Sequence, residues 1–340
     1  MPGTGPGPAS QVAWTQLRNP ILSEPDAGVK DQALVWAGGQ WHMLFSYVTN
    51  DVPTKGDEDW NIATATSPDL LHWSAPAPWP LQAGVDGVAS PDIVRSPAGV
   101  FVATYDSNPD VAVGAQSKLY YRTSPDLERW STPAPLALSL HPAPGDRMID
   151  PALAWTGRGL ILGYKYGTTT GSGSQHFEIA WSPSGSLAGP WRYVGRPDIV
   201  VNGGTIENFE FVFVARRWHL VATSNNFDQP WIFTLSGTGN PADPNSWLHW
   251  TGARMLVVPA QSWDSGPGIS SVGFEHANSA FLCDAHTGTG DDAGTGDKAG
   301  TGYYYLTYSG SDELTHFGGW GHAKIAVARS TDLVHWQVPG

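Results

Sequence analysis

A single cysteine, Cys283, stands in 340 residues. That excludes an intrachain disulfide framework and any zinc site built on cysteine. Charge is scarce at 14% of residues, and 18 Lys+Arg against 31 Asp+Glu leave a net charge of −13. With no Lys/Arg cluster, phosphate would be repelled, which excludes a general nucleic-acid binder. No apolar run approaches about 18 residues, so no helical membrane span is expected. The start, MPGTGPGPAS, has neither the basic nor the apolar region of a signal peptide and reads as a flexible leader. No segment keeps a helical period over three turns.

What is present points to β-structure. Hydrophobic residues reach 41%, enough for a large core. Short runs of Val, Ile, Tyr, Phe and Trp are separated by Gly, Pro, Asn and Asp, the pattern of strands and turns. The 17 tryptophans fit a repeated scaffold, with sugar stacking open to a few of them.

The chain repeats. Ser67-Pro68-Asp69-Leu70 leads to Trp73, and Ser124-Pro125-Asp126-Leu127 leads to Trp130. A degenerate copy runs from Ser182 to Trp191, another from Asp243 to Trp250, and the last from Ser330 to Trp336. Between them recurs an apolar strand: Trp41–Tyr47, Phe101–Tyr105, Leu160–Tyr164, Trp218–Thr223 and Tyr303–Tyr308. Five such units predict an all-β, five-bladed β-propeller, with residues 1–27 as leader and lead-in and 28–340 as one domain. The Gly/Thr/Asp-rich stretch from His286 to Gly302 lengthens the last unit and reads as a solvated loop. A second insertion, Ser309–Gly321, carries Glu313, His316, Phe317 and Trp320 and is expected to overhang one face.

The first strand of each propeller blade lines the central channel, so its acids converge. The five opening strands hold Asp31, Asp92, Asp150, Glu207 with Glu210, and Glu275 followed by His276. These acids are expected at one structural point in each blade, where mutual repulsion raises some pKa values. The competing reading of any one acid is a hydrogen bond to the neighbouring blade's backbone. That reading carries most weight at Asp92 and Glu275, and least for Asp31, Asp150 and Glu207 taken together.

These residues resemble clan F five-bladed glycosidases, namely the family 43 and family 62 α-L-arabinofuranosidases, arabinanases and β-xylosidases. Lys30-Asp31 resembles the family 62 motif of blade one, Ser90-Pro91-Asp92-Ile93 the Ala-Pro-Asp-Ile of family 43, and Ile149-Asp150-Pro151 the motif of blade three. His276-Ala277-Asn278-Ser279 is similar to the fifth-blade Gly-His-Asn-Ser. Gln32 departs from the usual Pro, and Asn208-Phe209 from Gly-Pro.

The resemblance implies an inverting glycoside hydrolase, with Asp31 as general base, Asp150 tuning and orienting the acid, and Glu207 as general acid. Glu210 is the alternative acid, because Phe209-Glu210 resembles the family 62 Phe-Glu. Inversion needs an ionised and a protonated carboxyl about 6.5–9.5 Å apart with water between them. Lys30 could hold Asp31 ionised or point away from it. Asp92, Trp60, Tyr105, Trp231 and His276 are the candidate sugar contacts.

No cofactor is required. A structural calcium ion near His276 is the resemblance's further implication, although calcium prefers oxygen ligands. The implied substrate is a pentose- or furanose-containing carbohydrate, and the protein an extracellular monomer. An arabinofuranosidase leads, with β-xylosidase, endo-arabinanase or another furanosidase on the same scaffold. Blade one lacks the Asn-Asp-Pro-Asn of fructan-acting propellers. A non-catalytic carbohydrate-binding propeller would repeat one set of binding residues in every blade, and these blades differ.

Overall fold

The computed structural model describes residues 12–49, 58–82, 85–107, 118–140, 146–168, 175–197, 199, 201, 204–224, 230–237, 239–264, 278–284, 302–311 and 323–340. Among these residues, nineteen strands form five antiparallel sheets, each in simple up-and-down order. Blade one is β1(Gly28–Ala37), β2(Gln40–Thr49), β3(Asp59–Ser67) and β4(Ala77–Pro78). Blade two is β5(Val88–Arg95), β6(Phe101–Ser107), β7(Leu119–Ser124) and β8(Ala134–Leu136). Blade three is β9(Asp146–Trp155), β10(Leu160–Thr168), β11(His176–Ser182) and β12(Arg192–Gly195). Blade four is β13(Ile206–Val214), β14(Arg217–Ser224), β15(Pro230–Leu235) and β16(Trp250–Met255). Blade five is β17(Asn278–Asp284), β18(Tyr304–Gly310) and β19(Lys324–Ser330). The five-bladed propeller expected from the repeats is the fold.

Both faces of each blade are covered by its neighbours, so the inner two strands are apolar almost throughout rather than alternating. All ten residues of β1 are buried. The recurring Ser-x-Asp-Leu-x-x-Trp turns close the outer hairpins. Asp69 Oδ1 accepts from the Leu71 and His72 amides, and Trp73 Nε1 donates to Leu70 O at 2.9 Å. Leu70, Leu127 and Leu333 all sit at positive φ, between 61° and 65°, so the three copies share one turn geometry. His72 and His335 pair with Asp69 and Asp332 of their own turns.

The lead-in packs instead of hanging free. Among the described residues blade five has three strands, and the edge of β19 is met by segments from both ends of the chain. Ile325 exchanges backbone hydrogen bonds with Leu22, and Arg329 does so with Gln337. Leu17 is fully buried, and the Arg329 guanidinium lies 4.2 Å from the centroids of both Trp14 and Tyr303. Asn19 fixes the seam. Its Oδ1 accepts from Val327 N at 3.0 Å, and its Nδ2 donates to Val327 O at 3.0 Å and Gln261 Oε1 at 2.8 Å.

Breaking that seam leaves two β19 backbone groups without partners. Asn19→Ala is therefore expected to cost about 1–3 kcal/mol in urea unfolding, whereas Gln16→Ala on the exposed side of the lead-in should be neutral. Equal effects would show that Asn19 does not close the ring.

Candidate active site

Each inner strand breaks its ladder at one place. The register shifts fall at Lys30/Ala33, Ala89/Asp92, Ile149/Ala152, Glu207/Glu210 and Asn278/Phe281. The first bulged residue is Asp31, Ser90, Asp150 or Asn208, with φ of 50°, 53°, 54° and 50°. Left-handed backbone in non-glycine residues costs about 1–3 kcal/mol each. Repeated in four blades, it is a designed feature that turns the bulge toward the channel.

The register corrects the expectation that the acids share one structural point. Asp31 and Asp150 occupy the bulge itself. Glu207 lies one residue before it, and Asp92 and Glu210 lie two residues past theirs. The acids therefore form tiers along the channel.

The bulges line a small, open depression on the propeller axis. Asp31, Ser90, Asp92, Asp150, Asn208 and Phe281 are among its walls, and every blade contributes. At its rim Asp31 is held on both oxygens. Lys30 Nζ lies 2.7 Å from Oδ1, and Ser46 Oγ donates to Oδ2 at 2.8 Å. Lys30 thus points to Asp31, and its ammonium also sits 5.7 Å from the Trp60 ring centroid.

Asp150 is buried and accepts from Asn208 N at 3.1 Å. Burial raises its pKa, Lys165 opposes the rise, and the charges of Glu207 and Asp31 add to it. Glu207 is ion-paired with the buried Lys165 and keeps about a fifth of its side chain exposed. Glu210 differs. It is buried, accepts from Leu282 N at 2.6 Å, and burial holds its carboxyl well above the usual range. Of the two candidate acids, Glu207 is the one that solvent reaches.

The sequence reading did not single out Asp106 or Lys165. Asp106 Oδ1 accepts from Asp150 N at 3.2 Å, and burial, then the Asp150 charge, holds its carboxyl well above normal. Both lie on a second strand opposite the residue preceding the bulge, as do Ser46, Thr223 and Ser309. A polar residue at the same place in five otherwise apolar strands was the available signal.

Three expected sugar contacts lie elsewhere. Tyr105 is 2% exposed and packs between Trp79 and Tyr120, so it is a blade-packing aromatic. Trp60 is buried beneath Lys30, and Trp231 is half-buried on β15; neither lines the depression. Glu275, His276 and the insertion residues from Glu313 to Trp320 lie outside the described residues. Among the described residues, no group of three or more His, Cys, Asp or Glu is placed to hold a metal ion.

No protein-family model matches the chain, and no curated protein matches it. Solved structures do match its fold. An α-L-arabinofuranosidase from Podospora anserina, solved with cellotriose, is 13% identical with a TM-score of 0.57, over 92% of this chain and 93% of that one. An α-L-arabinofuranosidase from Lactobacillus brevis is 12% identical with a TM-score of 0.58, over 94% of each chain. A structure from the family 130 mannoside phosphorylases, a family containing hydrolases of β-1,2-mannosidic linkages in Candida mannan, is 14% identical with a TM-score of 0.58, over 96% of each. The chain has the propeller fold that these proteins share.

Asp92 makes this site sensitive to pH. Burial pushes its pKa up to about 7, against the lowering effect of the Ile93 and Leu153 backbone amides. Its folded value lies above its unfolded one, so its contribution is full below about pH 4 and is lost as pH rises toward 7. Asp106 and Glu210 act in the same direction. Asp92→Asn is expected to unfold in urea with roughly 2–4 kcal/mol more stability than the parent at pH 8, the gap closing near pH 4. A gap that does not change with pH would show that Asp92 ionisation carries no cost.

Proposed function

We propose that the protein is an inverting glycoside hydrolase, with Asp31 as general base, Glu207 as general acid and Asp150 as the carboxyl that tunes and orients the acid. The observation that carries this is the asymmetry of the axial depression. Blades one, three and four bring three carboxyls within electrostatic reach of one another, while the equivalent bulge positions in blades two and four are Ser90 and Asn208. A scaffold needs no such convergence, and a lectin would repeat its binding residues around the ring.

The chemistry follows from how each carboxyl is held. Asp31, with both oxygens fixed by Lys30 and Ser46, is oriented to take a proton from water attacking the anomeric carbon. Glu207, at the exposed edge, gives its proton to the departing glycosidic oxygen. The water's oxygen bonds to the sugar from the opposite face, which inverts the anomeric centre. Asp150 bears on Glu207 through their mutual repulsion. Glu210 is read as structural, because its carboxylate is committed to the blade-five backbone.

The substrate we infer is an arabinose-containing poly- or oligosaccharide cut by exo-action. Two structures of similar fold are α-L-arabinofuranosidases, and the small depression suits a single terminal sugar. A xylosidic, endo-arabinan or other furanosidic substrate on the same machinery is the second reading. A polymeric substrate places the enzyme outside the cell as a monomer. Displacement by water needs no cofactor, so a calcium ion near His276 would serve structure.

The test is turnover of nitrophenyl pentosides, nitrophenyl furanosides and arabinoxylan. Asp31→Ala is expected to lose about 10²–10⁴-fold on all of them. Glu207→Ala should lose as much on arabinoxylan and less on nitrophenyl sugars, whose leaving groups need little protonation. Glu210→Gln, which still offers Leu282 N an acceptor, should retain turnover. Loss in Glu210→Gln with retention in Glu207→Ala would move the acid to Glu210. Sugar binding without turnover on any substrate would make the protein a carbohydrate-binding propeller.

A further inference from the structure

The second-strand position that faces the bulge serves the same purpose in two of the blades. Ser46 accepts the Ser90 amide of blade two, and Asp106 accepts the Asp150 amide of blade three. Blade three places Lys165 there, and an ammonium cannot accept a hydrogen bond. Its clasping task passes to Asp150, whose Oδ2 takes the Asn208 amide of blade four. Lys165 is left as a 3%-exposed cation whose ammonium reaches across to Glu207.

Burying an ammonium costs several kcal/mol unless charge partners offset it. At the same position the other four blades carry Ser46, Asp106, Thr223 and Ser309, so the scaffold does not require a cation. The two carboxyls beside it do. Asp150 and Glu207 repel each other, and Lys165 acts against that repulsion at Asp150. Asp31 and Asp106 also bear on Asp150, and the remaining charged groups nearby are engaged elsewhere. Lys30 is engaged by Asp31, Arg147 bears on Asp106, and Glu210 is turned to blade five.

We propose that Lys165 is a positioning residue: its ammonium holds Glu207 beside Asp150 and offsets the repulsion between the two carboxylates. With Lys165 present, ionised Asp150 is stabilised, so its carboxyl loses its proton at lower pH than it would without the ammonium.

This rests on the hydrolase reading for its kinetic readout but not for its titration readout. Lys165→Met is expected to move the alkaline limb of kcat/KM on arabinoxylan upward by about one pH unit or more, while Lys165→Arg leaves it within a few tenths. Lys165→Gln, which keeps a hydrogen-bonding head without charge, is the second uncharged variant should Met prevent folding. In parallel, side-chain carboxyl ¹³C titrations, assigned with Asp150→Asn and Glu207→Gln, should show the Asp150 midpoint rising in the uncharged variants.

A folded, uncharged variant with an unmoved limb and midpoint would overturn the proposal and leave Lys165 a packing residue. If the parent turns over no sugar, the hydrolase reading fails, and the carboxyl midpoint alone decides the role of Lys165.

Discussion

The structure depends on satisfying the backbone where five inner strands bulge into one channel. A bulge frees amides from the ladder, and buried amides without partners are costly. Each blade answers with a group from its neighbour. Ser46 accepts from Ser90, Asp106 from Asp150, Asp150 from Asn208, and Glu210 from Leu282. Ser309 completes the circle by donating to Gln32. The hydrogen bonds run once around the axis, and the channel is the seam along which the propeller is held.

Carboxylates are strong acceptors for such amides, which accounts for several of the buried acids in a chain with little charge. It also separates two roles that look alike in sequence. Glu210 and Asp106 are committed to backbone and lie deep. Asp31 and Glu207 are held by lysines, Asp31 in the wall of the depression and Glu207 with about a fifth of its side chain open to solvent. Asp150 does both, clasping blade four while sharing its electrostatics with Glu207. Substituting it would therefore disturb the ring as well as the site.

Burial sets the electrostatic character of the channel. Asp92, Asp106, Asp150 and Glu210 are all shifted upward, with burial the largest cause at each. Lys30 and Lys165 are the counterweights, one beside Asp31 and one beside Glu207. Two buried lysines thus stand at two carboxyls in a chain with only 18 Lys and Arg residues.

The sequence by itself determined the architecture. Five repeats of an apolar strand, three of them followed by a Ser-x-Asp-Leu-x-x-Trp turn, cannot bury their faces except against one another, and a closed ring follows. It also placed the acids on the inner strands, because inner strands open each repeat. Only the tertiary structure decided their tiers, since one residue of bulge changes which side chain meets the axis. It alone separated Glu207 from Glu210, three positions apart in the chain but one exposed and one sealed. It turned Lys30 toward Asp31, and it brought Asp106 and Lys165 to the site from second strands, where their contacts join residues of different blades and no local pattern encodes them. Tyr105, chosen for its aromatic ring, went to blade packing for the same reason: its neighbours are set by the fold.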